Sequence, residues 1–306
     1  MLKEKRPIII DTDPGIDDAV ALSIALNHPK LDVKLLTTVA GNVNAHKTTE
    51  NTLKLVSFFD KQVPVAKGCD KPLLIQLEDS ADIHGESGMD GYDFPEAIAK
   101  ALDVHAVEAM KDCILKSTEP ITLVPIAALT NIALLFSMYP ETKQNIKEIV
   151  MMGGSLARGN TNTSAEFNTY VDPHAAQIVF QSGVPIVMVG LDVTSTAVLT
   201  KNEIEKIKEF GEVGNMFYSL FQHYRGGSLQ TGLKMHDVCA IAYLTDPELF
   251  TVQETFIEIA LDGPAAGATV ADLKMKYHDT TNAVVCLDID IPAFQQWVVL
   301  NLEKIN

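Results

Sequence analysis

One unit recurs along this 306-residue chain. A run of consecutive apolar, often β-branched residues is followed by a polar or glycine-containing break and then by helical spacing. The apolar runs are PIIID (7–11), VKLLTTVA (33–40), ITLVPI (121–126), EIVMMGG (148–154) and VPIVMVG (184–190). Helical spacing follows at 16–27, at 44–59 and at about 129–138. It begins again near Asp172-Pro173, where Asp caps and Pro takes the first helical position. A strand without polar alternation needs cover on both faces. The unit therefore predicts an α/β fold with a mostly parallel central sheet and helices on both faces. The tail differs: 255–261, 268–277 and 283–289 predict a few additional strands, and 291–304 a C-terminal amphipathic helix carrying Trp297. Segments 68–95 and 210–236 read as long loops, a class often functional in compact domains. No repeat, low-complexity tract or linker divides the chain, so a single domain over 1–306 is expected.

Composition narrows the partners. Apolar residues make up 47% and charged residues 21%, an ordinary globular balance with ample core. A formal net charge of −16 argues against nucleic acid or an acidic membrane surface, whose phosphates would be repelled. The four cysteines, at 69, 113, 239 and 286, form no C-x-x-C pair. That argues against a disulfide scaffold or a zinc knuckle and fits a reducing cytoplasm. Met1-Leu2-Lys3-Glu4-Lys5-Arg6 leads into an apolar run too short for a signal-peptide core or a membrane span. A soluble intracellular protein is expected.

In doubly wound sheets, ligands bind beyond the carboxyl ends of the strands. The first strand ends in DTDPGIDDAVAL (11–22), which places Asp11, Asp13, Asp17 and Asp18 close together. Asp17 and Asp18 also suit a helix start, where they complement its dipole. That role does not account for Asp11 and Asp13 at a strand end, where burial opposes ionised carboxylates. A bound cation would relieve the repulsion. Hard oxygen donors without a His/Cys pattern favour Ca²⁺ or Mg²⁺ over Zn²⁺, and the spacing is not that of an EF-hand. Three other stretches carry candidate side chains. LKMHDVCAIAYL (233–244) brings His236 and Asp237, although Asp237 also suits an N-cap. MMGGSLARGNTNTSAEFNTYVDP (151–173) brings Met152, Asn160, Glu166 and Asn168, without the spacing of a phosphate loop. HGESGMDGYDF (84–94) brings His84 in a glycine-dense segment suited to a lid.

Taken together, these stretches resemble the inosine–uridine-preferring nucleoside hydrolases, enzymes that cleave the N-glycosidic bond of ribonucleosides. TTVAGNV, LVPIAALTNIALL, IVMMGGS and AEFNTYVDPHAA fall in the same order, so the resemblance covers essentially the whole chain. It is strongest toward the bacterial enzymes acting on both purine and pyrimidine ribonucleosides. The resemblance implies Ca²⁺ held by the side chains of Asp13, Asp18 and Asp237 and by the Ile126 carbonyl. It implies Asp17 as general base and Asp11 behind the site, orienting it. Asp13, Asn42, Met152, Asn160, Glu166 and Asn168 would hold the ribose, and His84 and His236 would lie near the base. It also implies a homotetramer. Ala127-Ala128 departs from the family's usual glycine and bears on the Ile126 carbonyl.

The chemistry is coherent with those residue types. A carboxylate takes a proton from water as it attacks C1′, and the acids and the Asn168 amide oxygen favour the positive charge that grows on the ribose. His236, with an ordinary pKa near neutrality, is the expected proton donor to a purine base. Within FQHYRGGSLQTG (221–232), Tyr224, Arg225 and Gln230 are candidates for base contacts. Two rival readings remain open on the sequence alone. A haloacid-dehalogenase-type phosphatase would use Asp11 as nucleophile. A non-catalytic nucleoside-binding protein would bind without cleaving.

Overall fold

The computed structural model describes residues 5–305. Residues 1–4 and 306, which the expected domain span and the N-terminal reading include, lie outside the described residues. Strand β1 (Arg6–Thr12), helix α1 (Ile16–Asn27), β2 (Leu31–Thr38), α2 (Ala45–Phe58) and the short β3 (Val65–Lys67) come first. The one-turn α3 (Ala81–His84) and α4 (Ala106–Lys116) precede β4 (Ile121–Pro125) and α5 (Thr130–Met138). Then come β5 (Ile146–Met152), the short α6 (Phe167–Val171), α7 (Pro173–Phe180) and β6 (Ile186–Val189). After α8 (Leu191–Thr194) and β7 (Val198–Leu199) stand α9 (Lys201–Lys208) and α10 (Gly211–Phe221). Strands β8 (Gly227–Ser228) and β9 (Gly232–Lys234) lead to α11 (His236–Thr245). The tail holds β10 (Phe250–Thr255), β11 (Ile257–Ile259), β12 (Thr269–Ala271), β13 (Ala283–Ile289) and α12 (Ile291–Glu303).

Eight strands form one sheet in the order β10-β13-β6-β5-β4-β1-β2-β3. All neighbours are parallel except β10 with β13. Burial on β1 follows from its composition. Ile8 and Ile10 join one core, and Ile9 between them joins the other, so an unbroken apolar strand is covered on both sides. The order matters for the site. From β1 the chain steps outward to β2 and β3, then returns to place β4 on the other flank of β1. Winding reverses between β1 and β4, and the crevice at their carboxyl ends is the natural binding position in such a sheet.

Three expectations are corrected. Segment 210–236 is not one long loop: Val213, Met216, Phe217, Leu220 and Phe221 repeat at helical spacing and bury one face of α10. Helices α4 and α9, and the short α3, α6 and α8, were not anticipated. Helix α9 announces itself by a capping box in which Thr200 and Glu203 satisfy each other's backbone groups. In the tail, the strand expected at 255–261 divides into β10 and β11, and only 269–271 of the segment 268–277 is extended.

Asp172 shows how the layers are fastened. It caps α7 through Ala175 N–H (3.0 Å), and its other oxygen accepts from Leu73 N–H and the Thr130 hydroxyl, both at 2.8 Å. Asp172→Ala strands these buried donors at about 1–3 kcal/mol each. The expected loss, read from the urea midpoint at unchanged slope, is at least about 3 kcal/mol. A loss below about 1 kcal/mol would contradict the fastening role of this carboxylate.

Candidate active site

Helices α1 and α11 pack against each other, and both begin at the crevice. The first turn of α1 carries Asp17 and Asp18, and that of α11 carries Asp237. Their partly positive N-terminal ends moderate the repulsion among the acids. Asp237 does not cap its helix. Met235 occupies that position, leaving the carboxylate to the site. Asp17, Asp18 and Asp237 each offer an oxygen within 4.8 Å of the others, and all three are buried. Asp13, expected among the ligands, is not one of this trio, whereas Asp17, expected as the base, belongs to it.

A hydrogen-bond frame fixes these groups. Thr12 donates to Asp18 Oδ1 at 2.7 Å, and Gly15 N–H donates to Asp18 Oδ2 at 2.9 Å. Asn42 N–H donates to Asp13 Oδ2 at 2.7 Å. The Asn42 amide donates to the Asp13 carbonyl and to Asp18 Oδ2, and its oxygen accepts from Ser80. Asn42, expected on the ribose, is thus engaged in holding the carboxylates. Gly41 is required here, since a Cβ would lie 2.0 Å from Asp13 Oδ2. Asp11 stands behind the site, as expected of an orienting residue. Its Oδ1 accepts from Thr37 (2.6 Å) and Asn131 (2.8 Å), and its carbonyl accepts Ile126 N–H at 2.8 Å.

Three of these acids, Asp13, Asp17 and Asp237, line a cavity of about 560 Å³ together with Asn42, Ile126 and Met152, among others. That size is usual for small-molecule sites, which run from about 300 to 1,000 Å³. Asn160, Glu166, Asn168, His84, His236, Tyr224 and Arg225 also line it. Asn168 donates to the Met152 carbonyl at 3.2 Å and the Ile126 carbonyl at 3.4 Å. Glu166 accepts from Gly154 N–H (2.9 Å) and Asn168 N–H (3.0 Å) and caps α6. His84 and Tyr224 pack with ring centroids 5.4 Å apart. Arg225 ties its segment to α3 through Asp82 and Ile83 carbonyls. Gln230 is not brought to the cavity. It is exposed on the turn between β8 and β9, where its N–H donates to Ser228. The sequence reading missed Ser80, Phe167, Thr231 and Lys234, which do line the cavity. Of these, Lys234 had a visible signal, a cation two residues before His236.

Burial dominates the electrostatics. It pushes Asp17 up to about 7 and Glu166 up to about 7, and Asp11 up to about 6. Asp13 and Asp237 rise well above the carboxylate range, through burial first and the charge of Asp18 second. An all-oxygen trio of crowded carboxylates suits a hard divalent cation, whose charge would restore their ionised forms. Burial also pushes His84 down to about 4, and burial followed by the charge of Lys234 pushes His236 down to about 3. Where the sequence suggested titration near neutrality, these surroundings favour the neutral ring of His236. Its Nδ1 pairs with the Thr194 hydroxyl at 2.7 Å. Donation from Thr194 would leave the other nitrogen as an N–H donor.

A sequence profile of the inosine-uridine preferring nucleoside hydrolases matches residues 8–296. The chain belongs to that family. It is 51% identical over 294 residues to the non-specific ribonucleoside hydrolase RihC of Klebsiella pneumoniae, covering 96% of this chain and 97% of the relative. Identity to the enzyme of the same name in Escherichia coli is 50%, again over 96% of this chain and 97% of that one. Among solved structures, a purine-preferring ribonucleoside hydrolase from Gardnerella vaginalis superposes with a TM-score of 0.92 at 30% identity, covering 98% of this chain and 99% of that one. The buried acids at the β1–β4 crevice are thus the acidic cluster of a nucleoside hydrolase. Among the described residues of this nucleoside hydrolase, no helix is long and apolar enough to cross a membrane.

The raised carboxylates carry a pH signature. A group whose folded pKa lies above its unfolded value contributes stability below the unfolded value and loses it as pH rises through the folded one. For Asp17, that window runs from the ordinary value of 3.8 to about 7. The chain stripped of divalent cations should lose thermal stability across that window. Adding Ca²⁺ should raise the thermal midpoint more at pH 7 than at pH 5. A midpoint indifferent to Ca²⁺ at both pH values would contradict the cation assignment.

Proposed function

We propose that this protein hydrolyses the N-glycosidic bond of purine and pyrimidine ribonucleosides to ribose and free base, in nucleoside salvage. The observation that carries this reading is the set of buried carboxylates at the floor of a nucleoside-sized cavity, in a chain half identical to ribonucleoside hydrolases. Asp18 and Asp237, with Asp13, Asp17 and the Ile126 carbonyl beside them, would hold Ca²⁺ at this site. When bound, it supplies the charge that keeps these acids ionised and a centre about which water and the ribose hydroxyls are ordered.

The residues of the chain do the rest. Asp13 is fixed by Asn42 N–H on Oδ2, and its Oδ1 has no hydrogen-bond partner among the described residues. Asp17 already accepts from Asp237 N–H, at 3.5 Å. The carboxylate with the freer oxygen is the better placed proton acceptor. The base role therefore moves from Asp17 to Asp13, and Asp17 holds the ribose hydroxyls. The Asn168 oxygen, left free by the bonds its amide donates, and Glu166 face the positive charge growing on the ribose. His84, Tyr224 and His236 surround the base. The phosphatase reading loses support, because Asp11 does not line the cavity and its second oxygen is buried without a partner. The protein is cytoplasmic and homotetrameric by its resemblance to the family. Light scattering should then give four times 33.3 kDa.

Inosine and uridine should each yield free base, and a nucleotide should yield no phosphate. Phosphate release, or bound but unchanged nucleoside, would contradict the reading. Asp13→Asn and Asp17→Asn should each lower kcat by at least about 10²-fold. Only Asp13→Asn should abolish the rise of kcat with pH that reports the base. Persistence of that rise in Asp13→Asn would return the role to Asp17.

A further inference from the structure

We propose that Lys234 is the group that receives the departing base: its ammonium stabilises the negative charge that collects on the ring nitrogen and carbonyl oxygens of an oxo-purine or oxo-pyrimidine leaving group. This rests on the ribonucleoside hydrolase reading above and adds a catalytic residue to it.

Lys234 lines the same cavity as the carboxylates and lies two residues before His236. Its backbone is pinned from both sides. Its N–H donates to the Gly226 carbonyl at 3.0 Å, and β9 pairs with β7 through Val198 and Leu199. The side chain is half-buried, and among the described residues its ammonium has neither an ion pair nor a hydrogen bond. That is unusual in a cavity also lined by Glu78, Asp79 and Asp82, where a cation would be expected to find a carboxylate. The other basic groups on the wall are engaged. Arg225 is exposed, and its guanidinium donates to the Asp82 carbonyl at 3.1 Å. His84 Nδ1 accepts Ile16 N–H at 3.1 Å, and His236 Nδ1 pairs with Thr194. Lys234 is therefore the one cation of the cavity wall, among the described residues, whose charged group has no hydrogen bond to the protein.

In the cleavage step, the C1′–N bond breaks with its electron pair on the base nitrogen, and water oxygen forms the new bond to C1′. The water proton passes to the Asp13 carboxylate and from there to solvent. Negative charge spreads from the base nitrogen to the ring carbonyl oxygens, where the ammonium holds it. On release the base takes one proton from solvent and leaves neutral. Lys234 supplies charge at the moment of cleavage, which raises turnover only to the extent that the transition state is more anionic on the base than the substrate is.

The test compares leaving groups. In Lys234→Met, kcat/KM for inosine and uridine should fall on the order of 10²-fold, the scale of losing one charge-stabilising donor. 4-Nitrophenyl β-ribofuranoside, whose nitrophenolate departs without assistance, should change by less than about threefold. Lys234→Arg should recover most of the loss on the nucleosides. Equal losses on all three substrates would mean that Lys234 only balances the charge of the acids, and no loss would mean that it takes no part. Either result overturns the proposal while the hydrolase reading stands. Failure of the unmodified protein to release base from any nucleoside would sink both.

Discussion

Mutual repulsion among buried carboxylates is the constraint on which the rest of this molecule depends. Asp13, Asp17, Asp18 and Asp237 are all at least 95% removed from solvent, with exposures of 1%, 3%, 0% and 5%. Two ions at about 4 Å repel by about 4 kcal/mol even at an effective dielectric constant near 20. Such a cluster stays ionised only if its charge is compensated. Helix N-termini, backbone N–H groups and the Asn42 amide supply part of that compensation. The remainder falls to a divalent cation. The same compensation serves catalysis, because carboxylates held ionised beside a ribose favour a transition state that is positive there.

Topology explains why these acids meet. Asp11 to Asp18 leave the carboxyl end of β1, and Ile126 leaves that of β4, at the point where the winding of the sheet reverses. The Asp11 carbonyl binds Ile126 N–H across that gap, so the penultimate residue of β1 also seats the Ile126 loop. Asp237 arrives from more than two hundred residues away on a helix that packs along α1. The segments carrying His84 and Tyr224 also line the cavity and are linked through Arg225.

Much of this was legible in the sequence, and for identifiable reasons. Unbroken apolar runs such as PIIID admit few arrangements, so the parallel sheet and the placement of its ligand-facing loops followed. The cluster of four acids and the His236-Asp237 pair were conspicuous because each sat where a strand ends or a helix begins. Other features depended on distances that no spacing encodes. Asn42 has the composition of a sugar ligand, yet its amide is directed to Asp13 and Asp18. Gln230 lies in the right segment but on the outer turn of a hairpin. The division of labour proposed for Asp13 and Asp17 rests on which oxygen already has a partner. The protonation state of His236 rests on burial that its neighbours in sequence do not reveal.

The central claim is that a single divalent cation holds these acids together. Elemental analysis of the purified protein, beside Asp237→Asn and Asp18→Asn variants that remain folded, tests it most directly. The account predicts about one calcium per chain, the expectation for one oxygen-rich site, and its loss in both variants. Zinc in place of calcium, or calcium retained when both acids are neutralised, would contradict it.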